Sequence, residues 1–313
     1  MPFSPSLPEL PLVLSVQSHV AYGHVGNSAA VLPLQLLGME PVAVHTVQFS
    51  NHTGYGEFTG QVFTPAHIAE VLDGLRARGV LARCAAVLSG YLGDAGVGQA
   101  ILQAVRGMRA ARPGLQYLCD PVMGDVGRGI FVRPGVPEFL RDCALTQASI
   151  ITPNQYEFEL LHGAPVASVD EAVAAARSLL GGARRQGPWL VVVTSLRTGD
   201  LPGDRLATLA VTADAAWLFS TPFVALDPLP NGMGDVFSAV LLARLLNGHA
   251  VPEAVSGAVG SLYALVARTM PGQRDLPLVA CRAQIVEPAE RFAAQPWPPE
   301  GPDAANAYSS TNR

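Results

Sequence analysis

Short apolar runs that are nearly continuous, rather than alternating with polar residues, limit what this chain can fold into more than any other feature. Leu12–Val16, Pro41–Val47, Cys84–Leu88, Leu115–Cys119, Ser149–Thr152 and Leu190–Val193 each read as a strand. A strand with no polar side cannot rest one face against water, so these runs predict a mostly parallel sheet covered on both faces by helices. The intervening segments supply the helices, at about Asn27–Leu37, Pro65–Arg78, Asp94–Ala111, Gln155–Leu161, Asp170–Leu180, Gly234–Leu246 and Pro252–Arg268. Thr64 is a natural N-cap before Pro65 at the first helical position. Arg205–Phe219 reads as a hairpin turning near Asp214. The expected organisation is one α/β domain over residues 1–293, followed by a flexible tail over 294–313 where Pro, Ala, Asn and Ser dominate.

Composition narrows the partner. With 49% hydrophobic residues in 313, the core is substantial, and only 14% of residues are charged. The net charge of −5 offers no footprint for nucleic acid or for an anionic membrane surface. No apolar run approaches the roughly 18 residues needed to span a bilayer, and Met1–Leu10 lacks the basic start and apolar core of a signal peptide. Cys84, Cys119, Cys143 and Cys281 are scattered, with no Cys-x-x-Cys pair, as expected of reduced thiols in a cytoplasmic protein. A small molecule is the expected partner.

In open α/β sheets, ligands bind beyond the carboxyl ends of the strands. Polar residues directly follow apolar runs at Ser18-His19, Asn51-His52-Thr53, Ser89-Gly90-Tyr91, Asp120, Thr152-Pro153-Asn154 and Thr194-Ser195. Six such ends on one edge predict a site.

Asn231-Gly232-Met233-Gly234-Asp235 precedes an apolar helix. Glycines there let backbone N–H groups converge, and the helix dipole adds positive potential, so the segment can cradle an anion. Asp235 at the helix start can take a proton from an alcohol that attacks a phosphoryl group in that cradle. The structural alternative is that Asp235 only favours the helix N-terminus. Asp120, Asp125 and Glu157 form a possible hard-oxygen set for Mg²⁺, held directly or through water. Their alternative is a capping Asp and a surface Glu paired with Arg. The glycines of Gly124–Val132 suit a lid over phosphates, or a surface loop without a role. Gly23-His24-Val25-Gly26-Asn27 is not a dinucleotide fingerprint. No Walker Gly-Lys-Ser/Thr, no Gly-x-Ser-x-Gly elbow and no metal-ligand spacing among the histidines is present.

Longer stretches carry a resemblance. Gln17-Ser18-His19-Val20-Ala21-Tyr22-Gly23-His24-Val25-Gly26-Asn27-Ser28 and Thr46-Val47-Gln48-Phe49-Ser50-Asn51-His52-Thr53 are its most specific pieces. Ser89 to Gly93, Cys119 to Asp125 and Thr152 to Gln155 add independent matches. From about Leu12 to Phe292 the chain resembles the pyridoxal kinases, a branch of the ribokinase-like superfamily. The resemblance implies a three-layer α/β/α ribokinase-like fold and a homodimer. It implies transfer of the ATP γ-phosphate to the 5′-hydroxyl of pyridoxal with Mg²⁺, and room for a monovalent cation. It places Ser18 and Thr53 on the polar atoms of the pyridine ring, with His52 and Tyr91 beside the ring. Asp120, Asp125 and Glu157 fall near metal and phosphates, Thr152, Asn154, Thr194 and Ser195 by the nucleotide, and Thr221, Pro222, Phe223 and Val224 beside adenine. Asp235 falls on the catalytic base, with Gly232, Met233 and Gly234 as the anion hole. One departure is Thr194, where some bacterial relatives carry a lysine, so less charge is offered to the phosphates. Two other readings stay open: a kinase of another small alcohol such as hydroxymethylpyrimidine, and a weakly active vitamin B6-binding paralogue.

Overall fold

The computed structural model describes residues 9–182 and 186–298. Ten strands form one sheet in the order β12-β11-β10-β9-β8-β5-β4-β1-β2-β3. They are β1 (Leu12–Tyr22), β2 (Glu40–Asn51), β3 (Gly60–Val62), β4 (Cys84–Ser89), β5 (Gln116–Cys119), β8 (Ile150–Ile151), β9 (Leu190–Leu196), β10 (Arg205–Val211), β11 (Ala216–Pro222) and β12 (Gln295–Pro296). The two remaining strands, β6 (Gly124–Asp125) and β7 (Gly129–Ile130), make a separate small hairpin. From β2 through β1, β4, β5 and β8 to β9 every pairing is parallel. Antiparallel strands close both flanks.

Successive strand residues feed two different cores. Leu14, Val16, Val87, Val191 and Val193 point into one, while Val13, Ala86, Leu88, Leu190 and Val192 point into the other. This two-sided burial is why the strands lack a polar stripe. The first core is covered by the helices Pro65–Ala77, Ala95–Ala111 and Val169–Leu179, and the second by Asn27–Leu36, Met233–Leu246 and Val251–Val266. The result is the three-layer arrangement that the sequence implies.

The helix Met233–Leu246 is apolar all round, and every residue from Val236 to Arg244 is buried. Such a helix must be enclosed rather than laid on a surface. It packs against both Asn27–Leu36 and Val251–Val266, so the start of this helix, with Asp235 in its first turn, is held by the interior of the protein.

Several boundaries differ from the sequence expectation. β1 and β2 run to Tyr22 and Asn51, well past Val16 and Val47, so Ser18, His19 and Asn51 lie within strands instead of after them. Their polar side chains hide a pairing that continues across a register irregularity between Gln17 and His19. Thr194 and Ser195 likewise belong to β9. The loop Gly124–Val132 contains the β6–β7 hairpin. Helical turns between Val136 and Gln147 have no counterpart in the sequence reading. The expected tail from 294 begins too early: β12 pairs with β11, and the Trp297 indole donates to Asp170 at 2.7 Å. The remainder of that expectation, 299–313, lies outside the described residues.

Phe237 is buried in the second core. Phe237→Ala is expected to cost about 3–5 kcal/mol, read as a lower urea midpoint at an unchanged slope.

Candidate active site

The centre of the site is a contact between two glycine-bearing turns. Gly26, just before the helix Asn27–Leu36, donates its N–H to Asp235 Oδ2 at 2.8 Å. Its backbone has φ 54°, and a side chain there would overlap the Ser18 carbonyl and hydroxyl. Gly232, at φ 81°, faces the His24 carbonyl so closely that no Cβ fits between them. Glycine is therefore required at both positions. Together these turns bring Ser18, Gly26, Gly232 and Asp235 into one place. Burial pushes the Asp235 carboxyl up to about 6, against the opposing pull of the Gly26 N–H.

Asp120, just past the end of β5, lies behind this centre. A methyl group on Gly234 would stand 3.3 Å from Asp120 Oδ2. Ser238 donates to the same oxygen at 3.4 Å, and its hydroxyl meets that of Thr152 at 2.8 Å. Thr152 is therefore engaged inward. Ser238, one turn beyond Asp235, is a residue that the sequence reading missed, since it sits in an otherwise apolar helix. Burial pushes the Asp120 carboxyl up, and the neighbouring carboxylates of Glu157 and Asp235 push it further.

Glu157 is buried, which rules out the surface ion pair that the sequence allowed. Oε1 accepts the N–H groups of Met123 (2.9 Å) and Gly124 (3.4 Å), while Oε2 accepts that of Asn154 (3.0 Å). Asn154 Oδ1 accepts the Glu157 N–H in return, completing a capping box. Asn154 Nδ2 also donates to the Gly124 carbonyl at 2.9 Å. This pair thus ties the strand end to the base of the hairpin. Burial raises the Glu157 pKa, and its three N–H partners oppose the shift.

Asp125 is half-buried at the start of the hairpin and accepts the Val126 N–H at 2.7 Å. Among the described residues no group of three or more acidic, His or Cys side chains is placed to hold a metal. Within the expected set of Asp120, Asp125 and Glu157, Glu157 has turned both oxygens to backbone donors. What remains is a pair of buried acids, Asp120 and Glu157, that are not ion-paired among the described residues. That environment fits a hard cation held largely through water and phosphate.

In the loop 51–56, His52 caps the short turn Thr53–Tyr55, with Nδ1 accepting the Gly54 N–H at 3.1 Å. Thr53 is exposed. The His52 pKa is lowered, first by burial and then by Arg128, with Arg274 adding to the effect and Asp275 opposing it. Arg128, at the turn of the β6–β7 hairpin, thus lies within electrostatic reach of His52, and its guanidinium packs 5.0 Å from the Phe131 ring centre. The backbone of Tyr91 is fixed by Thr46, whose hydroxyl donates to its carbonyl at 2.7 Å.

Further along the sheet lie the other expected site residues. Asn154 pairs with Thr194 in a β-bridge, and Thr194 N–H reaches the Pro153 carbonyl at 2.9 Å. Ser195 is exposed and has φ 56°, the one positive value outside glycine among the described residues. Strain of this kind tends to persist at functional positions. Thr221 is buried and donates to the Leu206 carbonyl at 3.3 Å, whereas Pro222 and Phe223 are exposed and Val224 half-buried. The Arg197 guanidinium lies 4.1 Å from the Phe223 ring centre. The chain has no lysine, so all 20 of its permanent side-chain cations are arginines.

A cradle at a helix N-terminus, a half-buried carboxylate of raised pKa beside it and two buried acids behind define a site built for phosphoryl transfer to a small alcohol. The family model described as phosphomethylpyrimidine kinase matches residues 36–278. The chain is 48% identical to pyridoxal kinase PdxY of Deinococcus radiodurans over 93% of its own length and 98% of that protein. It is 50% identical to pyridoxal kinase PdxY of Rubrobacter xylanophilus, over 90% of this chain and 95% of that one. The structure superposes on Leishmania donovani pyridoxal kinase in complex with ADP and pyridoxamine with a TM-score of 0.83 at 30% identity, covering 92% of this chain and 99% of the other. The chain belongs to the pyridoxal kinases within the phosphomethylpyrimidine kinase family.

Gly26→Ala is expected to draw the N–H away from Asp235 and so raise the Asp235 pKa above its value of about 6. Titration of the labelled aspartate carboxyl carbons by NMR reads this directly.

Proposed function

We propose that the chain transfers the γ-phosphoryl group of ATP to the 5′-hydroxyl of pyridoxal, giving pyridoxal 5′-phosphate, with Asp235 as the base. The observation that carries this reading is the Gly26–Asp235 contact at the mouth of the Gly232–Gly234 cradle. A carboxylate with a pKa near 6 is mostly ionised at neutral pH, yet basic enough to accept the hydroxyl proton as the oxygen attacks. The N–H groups of Gly232, Met233 and Gly234, at the positive end of an enclosed helix, receive the developing phosphate charge.

Ser18 and Thr53 hold the polar atoms of the pyridine ring, while His52 and Tyr91 stand beside it, as suits a flat ligand between aromatic walls. Thr152, Asn154, Thr194 and Ser195 line the nucleotide path, and Thr221 to Val224 flank adenine. Asp120, with Asp125 and Glu157 acting through water, would hold Mg²⁺, which supplies charge neutralisation between the phosphates. Thr194 is neutral, so the remaining phosphate charge falls to the metal, the helix dipole and nearby arginines. The hairpin at 124–130 excludes water when nucleotide is bound. The same reading has one kinase domain acting as a cytoplasmic homodimer.

Assay of the purified enzyme with Mg·ATP against pyridoxal, pyridoxine, pyridoxamine and hydroxymethylpyrimidine tests the acceptor. Pyridoxal is expected to be phosphorylated, and a much faster rate with hydroxymethylpyrimidine would overturn the assignment. Asp235→Ala should lose about 10²–10⁴ in kcat while keeping most pyridoxal binding, the range expected for a positioned base. The wild-type kcat/KM for the acceptor should rise with pH through an inflection near 6, because only the ionised carboxylate accepts the proton.

A further inference from the structure

Three chain segments build the acceptor side of the site: the turn 22–26, the loop 51–56 and the approach to the cradle at 231–232. A fourth segment, which no sequence motif marks, touches all three. Asp275 Oδ1 accepts the His24 N–H at 2.9 Å, and its Oδ2 accepts the Tyr55 hydroxyl. The preceding residue, Arg274, uses its carbonyl to accept both the backbone N–H (2.8 Å) and the side-chain amide (3.1 Å) of Asn231. Its guanidinium donates to the Gly54 carbonyl at 2.9 Å and lies 5.8 Å from the Tyr55 ring centre. Gly23 is hemmed in by the same carboxylate, since a Cβ there would lie 2.8 Å from Asp275 Oδ1.

These contacts have a geometric consequence. The turn 22–26 carries the Gly26 N–H that holds Asp235, and the loop 51–56 carries His52 and Thr53. The distance between loop and base is thus set by whatever joins the two segments. At their base the two segments are joined by the β1–β2 pairing of Tyr22 with Asn51 and by the edge-on contact of the Tyr22 and Tyr55 rings; beyond that pairing, the Asp275 carboxylate hydrogen-bonds to both.

We propose that Asp275 is a positioning residue for the acceptor, clasping the loop at Tyr55 to the turn at His24 so that the acceptor hydroxyl is delivered to Asp235. The proposal rests on the function assigned above. One carboxylate accepts a donor from each segment, and charge-assisted bonds of this kind are stronger than neutral ones. Burial and the Asp275 carboxylate together push the Tyr55 phenol well up, so it stays protonated and donating across the working range. Arg274 beside it keeps Asn231, and with it the lead into the cradle, in the same frame. The Asp275 carboxylate itself bonds to none of the residues assigned to the nucleotide, so its loss should be felt chiefly by the acceptor.

Steady-state kinetics of Asp275→Ala, Asp275→Asn, Tyr55→Phe and the Tyr55→Phe/Asp275→Ala double variant test this, with each substrate varied while the other saturates. Asp275→Ala is expected to raise KM for pyridoxal by about tenfold to a hundredfold, as for loss of a bond to a charged group, with KM for Mg·ATP within about twofold of wild type. Asp275→Asn should fall between, because its oxygen still accepts the His24 N–H. Tyr55→Phe should act on the same parameter more weakly, and the double variant should be no worse than Asp275→Ala, because both remove one shared interaction. An unchanged acceptor KM in folded Asp275→Ala, or an equal rise in both KM values, overturns the proposal. So does a lower Tm with wild-type kinetics. Should Asp275→Ala not fold, the Asp275→Asn and Tyr55→Phe comparison decides alone. If the wild type phosphorylates none of the B6 vitamers, the functional assignment fails instead, and the same comparison is made with the alcohol that the enzyme does accept.

Discussion

The hydrogen bond from the Gly26 amide to the Asp235 carboxylate joins positions 209 residues apart and governs the geometry of the rest of the site. It exists because two backbones approach without side chains between them: Gly26 against Ser18, and Gly232 against the His24 carbonyl. A β-carbon at either place would separate the start of one helix from the start of another. The bond also fixes chemistry. Burial alone would carry the Asp235 carboxyl higher, and the Gly26 donor brings it back to about 6, where a carboxylate can be both ionised and basic. The surrounding fold serves this contact by burying Val236–Arg244 of the helix, which anchors the partly exposed first turn just before them.

Electrostatic tension accumulates on the opposite side of that turn. Asp120 and Glu157 are buried together, each raised by loss of solvent, and Asp120 is raised again by the nearby negative charge. An arrangement of like charges in a low dielectric stores free energy that a cation can release. Glu157 spends its oxygens on the N–H groups of Met123, Gly124 and Asn154, and so works chiefly as a brace between the strand end and the hairpin. Asp120, with one weak hydroxyl partner, keeps more of its coordinating capacity. On the proposed assignment, a chain without lysine and with a neutral Thr194 would draw charge for the phosphates from metal, helix dipole and arginine.

How much of this was legible in the sequence follows from the range of each signal. The parallel sheet was readable because two-sided burial removes the polar alternation from strands such as Leu190–Val193. The turn at Gly232 and the helix start carrying Asp235 were readable because they are consecutive in the sequence. Strand ends were less so: Gln17 and Ser18 are polar yet buried in β1, and composition alone stops the strand at Val16. The capping box of Asn154 and Glu157 has the right spacing, but nothing local reveals that Glu157 is buried and reaches Met123. Which oxygens of Asp120, Asp125 and Glu157 are free was not legible for that reason, since it depends on neighbours distant in sequence.

Asp275 and Arg274 mark the far limit of that legibility. Neither lies in a glycine motif, at a strand end or in an apolar pattern, and the partners of Asp275 stand 251 and 220 residues away. Local rules concern what a segment does by itself, whereas a clasp is defined by what it holds together. The same argument explains why the loop 51–56 carries recognisable residues but does not determine its own position. His52 fixes the turn by accepting the Gly54 N–H, which sets the loop's shape. Its base is placed by the pairing of Asn51 with Tyr22, and its tip is bound from outside at Tyr55 and Gly54 by Asp275 and Arg274. Residue types that make acceptor chemistry possible are thus separable from the contacts that set its distances, and the second group is found only by following hydrogen bonds across the fold.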